Sequence, residues 1–220
     1  MLDFLFNWPN GSPKILCLGA HSDDIELGCG GTLLNICSQN IEPEIQWVVF
    51  SANKERKKEA ISSANSFLGS IEKKKIIVHD FKENYFPYNA LKIKESFDEL
   101  GINFNPDLIF THYRLDLHQD HKLIYDLTLN TFRNHLVLEY EIPKYDGDLG
   151  SPHIFSFIDQ NFLDTKIRYL IENFQTQKNK PWFSEETFRA LPRLRGIESR
   201  SPSGYAEAFH CRKMNIAKIG

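Results

Sequence analysis

The stretch of sequence that decides the fold runs from Lys14 to Ser38 and reads KILCLGAHSDDIELGCGGTLLNICS. It begins with an apolar run of strand length. A polar cluster, a group of glycines and a helix-like segment over Thr32 to Ser38 follow. A strand that leads through a polar turn into a helix is a βα unit, and ligands of open α/β sheets bind where such strands end. The sequence therefore predicts a functional crevice at residues 21–26.

The polar cluster in this turn has the composition of a metal site. His21 offers an imidazole nitrogen, and Asp23 and Asp24 offer two carboxylates within one turn of chain. Such a set can bind a borderline metal ion and keep one carboxylate free as a base. The alternative is a polar turn in which an aspartate only caps the following helix. This stretch alone does not separate the two.

A second polar cluster follows another predicted strand, Pro106 to Phe110. It reads THYRLDLHQDH over residues 111–121, with three histidines and two aspartates. His118, Asp120 and His121 are close enough to share a loop or a first helical turn. One histidine can bind metal, a second can polarise a substrate oxygen, and the aspartate can orient a ring. A solvated loop is the alternative, but two such clusters, each at a strand end, favour a metal centre.

The two clusters resemble the signature motifs of a known family. Residues 21–26 (HSDDIE), followed by 30–32 (GGT), resemble the His-Pro-Asp-Asp-x-Glu motif of the LmbE-like (PIG-L superfamily) zinc-dependent N-deacetylases. Residues 118–121 (HQDH) resemble the His-x-Asp-His motif of that family. One departure is Ser22, which stands where the family usually has proline. Weaker similarity extends to the C-terminal part, at 195–196 (RG) and 205–209 (YAEAF).

The resemblance implies a Rossmann-like α/β fold, with a mostly parallel sheet flanked by helices in three layers, α/β/α. It also implies hydrolysis of an N-acyl group, usually acetyl, from an amino sugar or its conjugate. The cofactor would be Zn²⁺, although Fe²⁺ or another divalent ion suits the same ligands. Position by position, the resemblance implies metal ligands His21, Asp24 and His121, general base Asp23, oxyanion-stabilising His118 and supporting Asp120.

The expected chemistry follows from these roles. A metal ion bound by two nitrogens and one carboxylate lowers the pKa of a bound water from ~15.7 toward ~7. Asp23 would accept a proton from this water and pass it to the leaving amine. A protonated His118 would stabilise the oxyanion. Asp120 would favour the imidazolium form of His118 or fix its ring.

Further residues are predicted to contact the substrate, and they come from several parts of the chain: Glu26, Arg56, Asn84, Glu207 and His210. Arg56, early in the second predicted helix, could bind sugar hydroxyls or a phosphate, but an ordinary helix-face arginine explains it equally well. Glu26 is either structural support or a sugar contact. We assign His112 to the end of its strand and Asp116 to shaping its loop.

The glycine-rich βα turn also raises the hypothesis of a dinucleotide site. The dinucleotide fingerprint Gly-x-Gly-x-x-Gly begins directly after the strand. Here HSDD occupies that place, and the glycines follow within residues 28–31. Two carboxylates in the turn would repel a pyrophosphate, so a Rossmann-type dinucleotide cofactor is excluded.

The length and net charge of the chain limit the number of domains and the kinds of binding partner that can be expected. A length of 220 residues suits one domain over 1–220. Beyond Pro143 the sequence becomes rich in glycine and proline, which indicates that about 144–220 forms lid and site-covering segments. A net charge of −3 and a pI near 6.2 argue against nucleic acid and anionic membranes as partners. A small-molecule amino-sugar substrate is expected, and a homo-oligomer that completes the site stays open.

Cysteine usage and hydropathy bear on the compartment. The four cysteines show no CxxC spacing, which indicates a reducing environment. Residues 1–9 are apolar but short and carry no basic region, so no signal peptide is predicted. No stretch approaches the ~20 apolar residues of a membrane span. We therefore expect a cytoplasmic protein.

Apolar periodicity predicts an alternation of strands and helices, which is typical of a parallel sheet covered on both faces. The predicted strands are 44–50, 75–79, 106–110, 136–140 and 154–158, and the predicted helices are 51–68, 88–100, 122–132, 163–174 and 184–194. Residues 196–204 are predicted as a loop, and 205–210 as a strand or a short helix.

The leading hypothesis is a metal-dependent N-deacetylase of an amino sugar. Three alternatives remain: hydrolysis of another amide or an ester at the same metal site, a non-catalytic metal- or sugar-binding protein, and a nucleotide-binding regulator. A pure binding protein does not need Asp23 and His118, and absence of bound metal would favour the regulator.

Overall fold

The computed structural model describes Trp8 and residues 11–39 and 41–215. Its strands are β1 (Lys14–Gly19), β2 (Glu44–Val49), β3 (Lys74–Val78), β4 (Leu108–His112), β5 (Leu136–Tyr140), β6 (Ile154–Phe157) and β7 (Ala206–Cys211). Its helices are α1 (Asp24–Ser38), α2 (Lys54–Leu68), α3 (Ala90–Asn103), α4 (Gln119–Thr131), α5 (Gln160–Asn173) and α6 (Glu185–Ser199). Residues 1–9, on which the signal-peptide prediction rests, lie outside the described residues except for Trp8.

Within the described residues, the strands form one seven-stranded sheet in the order β3-β2-β1-β4-β5-β7-β6. Strands β1 to β5 pair in parallel, whereas β7 runs antiparallel to both β5 and β6. The prediction of a Rossmann-like, mostly parallel sheet is confirmed. The strand order reverses between β1 and β4, and open α/β sheets bind their ligands at such a point.

Apolar layers cover both faces of the sheet, which gives the predicted α/β/α arrangement. The alternation along β1 marks the division, because Ile15 and Cys17 face one core and Leu16 and Leu18 face the other. Helices α1, α2, α5 and α6 contribute to the first core, and α3 and α4 contribute to the second. A central strand buried on both faces reads as a continuous apolar run.

Helix α1 begins at Asp24, whereas the sequence predicts helical structure only from Thr32. The glycine-rich segment therefore lies inside the helix, which is interrupted at Cys29 (φ −142°, ψ 16°). Close packing requires glycine here, since a Cβ on Gly28 would overlap the ring of Tyr140. The prediction was wrong because these glycines allow tertiary contact and do not end the helix.

A buried ion pair between Lys166 and Glu207 binds the backbone groups of α1 at its interruption. Lys166 Nζ lies 2.7 Å from Glu207 Oε1 and donates to the carbonyl of Leu27 at 2.8 Å. The Glu207 carboxylate accepts from the backbone N–H groups of Gly31 and Thr32 at 2.8 and 2.7 Å. The pair thus satisfies backbone groups that the broken helix leaves without intrahelical partners. Glu207 was predicted to contact substrate, and in the structure both of its carboxylate oxygens bind protein groups.

Replacing one member of this pair is expected to destabilise the protein strongly. Lys166→Met leaves the buried Glu207 carboxylate without its cation, and such losses cost about 3–5 kcal/mol in free energy of unfolding. Arg168→Met on the same helix is the control, because the exposed Arg168–Glu172 pair contributes at most about 1 kcal/mol. Urea unfolding of both variants measures the difference, and equal free energies would contradict the assignment.

Two predicted element ends are wrong, and both fall at glycines. The sequence ends α3 before Gly101 and starts a loop at Gly196, but both helices continue past these residues. A Cβ on Gly101 would lie 2.8 Å from Thr131, and one on Gly196 would overlap the backbone of Gly204. Both glycines therefore permit close approach of another part of the chain. The predicted strand 136–140 coincides with β5, the other predicted elements are present with shifted ends, and residues 205–210 contribute to strand β7.

A search of the described residues for membrane spans finds no helix with the length and apolarity to cross a bilayer. That residues 1–220 form a single domain stays a prediction.

Candidate metal centre and catalytic pocket

The two polar clusters meet at the carboxyl ends of β1 and β4. Strand β1 ends at Gly19, directly before the first cluster, and β4 ends at His112, at the start of the second. The two strands are hydrogen-bonded neighbours on either side of the reversal in strand order. Side chains that follow them therefore converge on one crevice.

The three residues predicted as metal ligands bring their donor atoms together. His21 Nδ1 lies 3.1 Å from His121 Nε2, and Asp24 Oδ2 lies 3.5 Å from each of these nitrogens. A tetrahedral zinc site with bonds of 2.0–2.2 Å has ligand atoms about 3.3 Å apart. All three side chains are buried. The spacing and the chemistry of this donor set therefore fit a divalent metal ion.

The electrostatics of the centre also suit a cation. Burial lowers the pKa of His21, but the carboxylates of Asp24 and Asp120 outweigh this effect and raise that pKa to about 10. Burial and the neighbouring His112 lower the pKa of His121 to about 3. The carboxylates around His21 thus favour a positive charge at this place, and they can equally stabilise a metal ion.

Carboxylates orient both histidines through their second ring nitrogens. Asp116 Oδ2 lies 2.9 Å from His121 Nδ1, and Asp120 Oδ2 lies 3.1 Å from His21 Nε2. Such contacts fix the tautomer and the direction of a metal-binding histidine. Sequence reasoning missed Asp116, because its spacing from His121 carries no periodic signal. It assigned Asp120 to His118, whereas the carboxylate contacts His21.

Removing the charge of Asp116 is expected to weaken metal binding. Asp116→Asn leaves the His121 ring less well oriented. Partners that orient a ligand typically contribute about 10- to 100-fold in metal affinity. Isothermal titration of the metal-free protein with Zn²⁺ measures the change. Asp126→Asn, an exposed substitution on α4, is the control, and wild-type affinity in Asp116→Asn would contradict the assignment.

His112 packs behind the centre. Its ring stacks on that of His121, with the centroids 3.9 Å apart. His112 Nε2 accepts a hydrogen bond from the backbone N–H of Ala20 at 2.9 Å and lies 3.3 Å from Asp24 Oδ2. The lone pair of Nε2 is already engaged by this N–H group, so His112 packs against the candidate ligands Asp24 and His121 from behind. The sequence assigned it only to the end of its strand.

Asp23 lies beside the candidate ligands and contacts Arg56. Asp23 Oδ1 accepts a hydrogen bond from Arg56 Nη2 at 3.2 Å, and Asp23 makes no side-chain cap on α1. The capping alternative therefore does not describe this aspartate. Burial raises the pKa of Asp23 against the opposing effect of Arg56. A raised carboxylate pKa is typical of a general base.

Arg56 lines the same pocket, but its guanidinium already binds protein groups. In addition to Asp23, it binds Ser22 through Nε at 2.9 Å and Glu83 through Nη1 at 2.7 Å. A role in binding sugar hydroxyls or a phosphate would have to compete with these partners.

His118 caps α4, and its ring lies close to those of His21 and His121, the two candidate ligand histidines. Its Nδ1 accepts from the backbone N–H of Asp120 at 3.2 Å, which leaves Nε2 to carry the proton of the neutral ring. The His118 ring centroid is 4.9 Å from that of His21 and 4.6 Å from that of His121. Burial and His21 lower the pKa of His118. These contacts favour a neutral donor where the sequence predicted an imidazolium.

The pocket over the centre has a volume of about 280 Å³. Besides the groups already described, its walls include Lys144 to Asp146, Lys180 and Trp182. The part of the chain predicted to cover the site therefore supplies one side of the pocket. That it acts as a lid stays a prediction.

Four residues predicted to contact substrate do not line this pocket. Glu26 is fully buried, and burial raises its pKa well above the usual range. Asn84 is exposed and donates its backbone N–H to Asp120 at 2.6 Å. His210 is buried, and its ring stacks on that of Tyr113. Glu207 is the fourth, held at the interruption of α1.

The loop after Pro143 is fastened to the second polar cluster. Lys144 Nζ lies 3.0 Å from Asp116 Oδ2 and 2.5 Å from Asp148 Oδ2. Asp148 in turn accepts from the backbone N–H of Leu117 at 2.7 Å. Because Asp116 orients His121, these contacts connect one wall of the pocket to a candidate ligand.

Comparison with known proteins places both clusters inside a family signature. A sequence model of the PIG-L family, described as GlcNAc-PI de-N-acetylase, matches residues 16–132. The chain belongs to the PIG-L family of deacetylases. The prediction of this family from the two motifs is therefore confirmed.

Individual members and structural neighbours cover most of the PIG-L chain. The uncharacterized deacetylase YaiS of Escherichia coli K12 is 25% identical in an alignment of 175 residues that covers 76% of this chain and 93% of YaiS. The N,N'-diacetylchitobiose deacetylase of Pyrococcus horikoshii has a TM-score of 0.66 at 18% identity, covering 91% of this chain and 84% of its own. GalB, the 4-carboxy-2-hydroxymuconate hydratase of Pseudomonas putida KT2440, has a TM-score of 0.69 at 15% identity, covering 94% and 98%.

Arg195, in the Arg-Gly pair at 195–196 of this PIG-L chain, binds the loop that follows Pro143 and lines the pocket. Arg195 binds both carboxylate oxygens of Glu141, at 2.9 and 2.8 Å, and donates to the carbonyl of Gly150 at 2.9 Å. Glu141 also accepts from the backbone N–H of Gly150 at 2.8 Å. Helix α6 is thereby tied to the end of β5 and to the loop that leads to β6.

Proposed function

We propose that this protein is a metal-dependent deacetylase that removes an N-acetyl or other N-acyl group from an amino sugar or an amino-sugar conjugate. The observation that supports it most is the 3.1–3.5 Å spacing of the His21, Asp24 and His121 donor atoms. Asp23 and His118 line the same pocket. Family membership supports the acyl-transfer chemistry.

His21, Asp24 and His121 would hold the ion, which is Zn²⁺ in our proposal, with Fe²⁺ or another divalent ion suited to the same donors. When bound, such an ion polarises the acyl carbonyl and lowers the pKa of water toward ~7. The residues around it have to move protons and stabilise charge.

Asp23 acts as the general base in this proposal. Among the described residues, the only hydrogen-bond partner of its side chain is Arg56, which contacts Oδ1. Oδ2 is therefore available on the pocket side, where it can accept a proton from the attacking water. The same carboxyl group can then protonate the leaving amine, and such positioned proton transfer contributes typically ~10²–10⁴-fold.

His118 stabilises the negative charge that develops on the acyl oxygen. Its Nδ1 is engaged by a backbone N–H, so Nε2–H is the group that can donate toward the reaction centre. One such donor contributes about 3–4 kcal/mol of transition-state stabilisation. Asp120 and Asp116 support the site by orienting His21 and His121.

The pocket supports a substrate of modest size. Its volume of about 280 Å³ lies at the small end of ligand pockets and suits one sugar ring with its acyl group. Trp182 and Tyr145 offer aromatic faces, and Glu83 and Lys180 offer polar groups for hydroxyls. The chitobiose deacetylase with the same fold supports an amino sugar.

A hydratase is the second candidate, because GalB shares this fold at a TM-score of 0.69. Activated water can add to a carbon–carbon double bond as well as to an acyl carbon, and one fold hosts different chemistries. Hydrolysis of another amide or an ester remains a further variant of the same site. A non-catalytic binding protein would have no use for Asp23 and His118.

The test is an assay with protein loaded separately with Zn²⁺, Fe²⁺ and Co²⁺. N-acetylated sugars, nucleotide sugars, sugar–thiol conjugates and simple amides and esters are screened for release of amine or acid. Unsaturated hydroxy acids are screened for loss of absorbance. Asp23→Asn serves as the blank. Amine released from sugars by the wild type alone supports the proposal, and turnover confined to unsaturated acids would replace it with the hydratase.

A further inference from the structure

Ser22 is the residue in the first motif that departs from the family pattern, and its hydroxyl has a partner in the pocket. Ser22 is fully buried, and its Oγ accepts a hydrogen bond from Arg56 Nε at 2.9 Å. Proline, the usual residue at this place, has no hydroxyl to accept that bond. The substitution therefore adds an acceptor at the edge of the candidate catalytic site.

The partner of Ser22 makes a three-point clamp. Arg56 uses Nε for Ser22, Nη2 for Asp23 Oδ1 at 3.2 Å and Nη1 for Glu83 Oε2 at 2.7 Å. A guanidinium is planar and its N–H groups have fixed directions. Anchoring Nε and Nη1 therefore fixes the direction in which Nη2 meets Asp23.

The main chain that carries Arg56 is also held. Arg56 lies in the first turn of α2, and the N-cap residue Asn53 accepts from its backbone N–H at 3.0 Å. The side chain of Arg56 is only 10% exposed, and that of Asp23 only 5%. Both ends of the arginine are thus restrained.

We propose that Ser22 is a positioning residue for the general base. Its hydroxyl sets the plane of the Arg56 guanidinium, and Arg56 holds Asp23 Oδ1 so that Oδ2 faces the pocket. Arg56 is then a positioning residue as well, and not the sugar or phosphate contact that the sequence predicted. This inference rests on the proposed function of Asp23.

Steady-state kinetics of Ser22 variants test the clamp. Ser22→Ala and Ser22→Pro each remove the acceptor, and we expect kcat to fall roughly 10- to 100-fold because the base loses its position. KM should stay near the wild-type value, since no substrate contact is lost. Ser22→Thr keeps the hydroxyl and should retain most of the activity. Ser199→Ala, another buried serine on α6, is the matched control for folding.

A double-mutant cycle separates a clamp from independent effects. Arg56→Lys retains the charge but cannot make three directed contacts, so its kcat should fall as in Ser22→Ala. If the two residues act together, the double variant should fall no further than either single one. Additive losses, a wild-type kcat in Ser22→Ala or Ser22→Pro, or a rise in KM alone would overturn the proposal.

An NMR measurement tests the clamp without turnover. The Arg56 Nε–H signal, identified by its absence from Arg56→Lys, should exchange slowly with solvent in the wild type and in Ser22→Thr. It should exchange rapidly in Ser22→Ala, and equal exchange in all three would overturn the proposal. If the wild type turned over no substrate, the proposed function would fail while this signal still reported on the clamp.

Discussion

The Asp23→Asn variant is expected to bind metal with the wild-type stoichiometry and to lose about 10²- to 10⁴-fold in kcat. Asparagine keeps the shape of the side chain and can still contact Arg56 through its amide oxygen, but it cannot accept a proton from water. Because Asp24, and not Asp23, lies within 3.5 Å of both candidate ligand nitrogens, the ion should stay bound. Metal analysis and steady-state kinetics of the same preparation measure both quantities.

A matched control distinguishes loss of the base from loss of stability. Asp98→Asn, an exposed substitution on α3, removes one carboxylate at a distance from the pocket and should leave kcat unchanged. Thermal unfolding of both variants shows whether either is destabilised. An active Asp23→Asn enzyme would sink the base assignment, and loss of metal from this variant would place Asp23 among the ligands.

The His121→Ala variant is expected to retain no measurable metal after gel filtration. His121 Nε2 is 3.1 Å from His21 Nδ1 and 3.5 Å from Asp24 Oδ2, so its removal leaves two donors. Even residues that only orient a ligand contribute about 10–100-fold in affinity, and the loss of a ligand should exceed that range. Metal content after gel filtration and isothermal titration with Zn²⁺ provide the measurement.

The same experiment decides between two donor sets. The side chains of His21, His118 and His121 also bring nitrogens within 4.8 Å of one another, so a centre of three histidines is geometrically available. If His118 is the oxyanion donor that we propose, His118→Ala keeps the metal and loses kcat. If His118→Ala loses metal as His121→Ala does, the three-histidine set is correct. His135→Ala, at a histidine directly before the amino end of β5, controls for general effects.

The sequence indicated which candidate site residues the structure brings together where those residues are close along the chain. His21 and Asp24 lie in one turn, and His118 and His121 lie in another. Each motif therefore supplies part of the candidate centre from residues that are neighbours along the chain. The ends of β1 and β4 then bring these parts together, as parallel neighbouring strands must. The sheet could be predicted from local sequence as well. Strands that are buried on both faces have continuous apolar runs instead of alternating polar and apolar residues.

The sequence did not indicate which protein groups the predicted substrate-contact residues bind, because these partners are distant along the chain. Glu207 binds Lys166 and the interrupted α1, and nothing in YAEAF indicates a helix break far away in the chain. Arg56 binds Ser22 and Asp23, although an early helix position after a strand is equally typical of a ligand contact. Polar residues of this kind have no periodicity that identifies their partner.

The amino-acid sequence by itself determined the class of sheet, the crevice at the ends of β1 and β4 and the chemical nature of its donors. These features depend on apolar periodicity and on side chains that are neighbours along the chain. Only the tertiary structure decided that Asp120 orients His21, and that Ser22 and Arg56 hold Asp23. Those contacts join residues 99, 34 and 33 positions apart, and only packing of the finished fold brings such residues within hydrogen-bond distance.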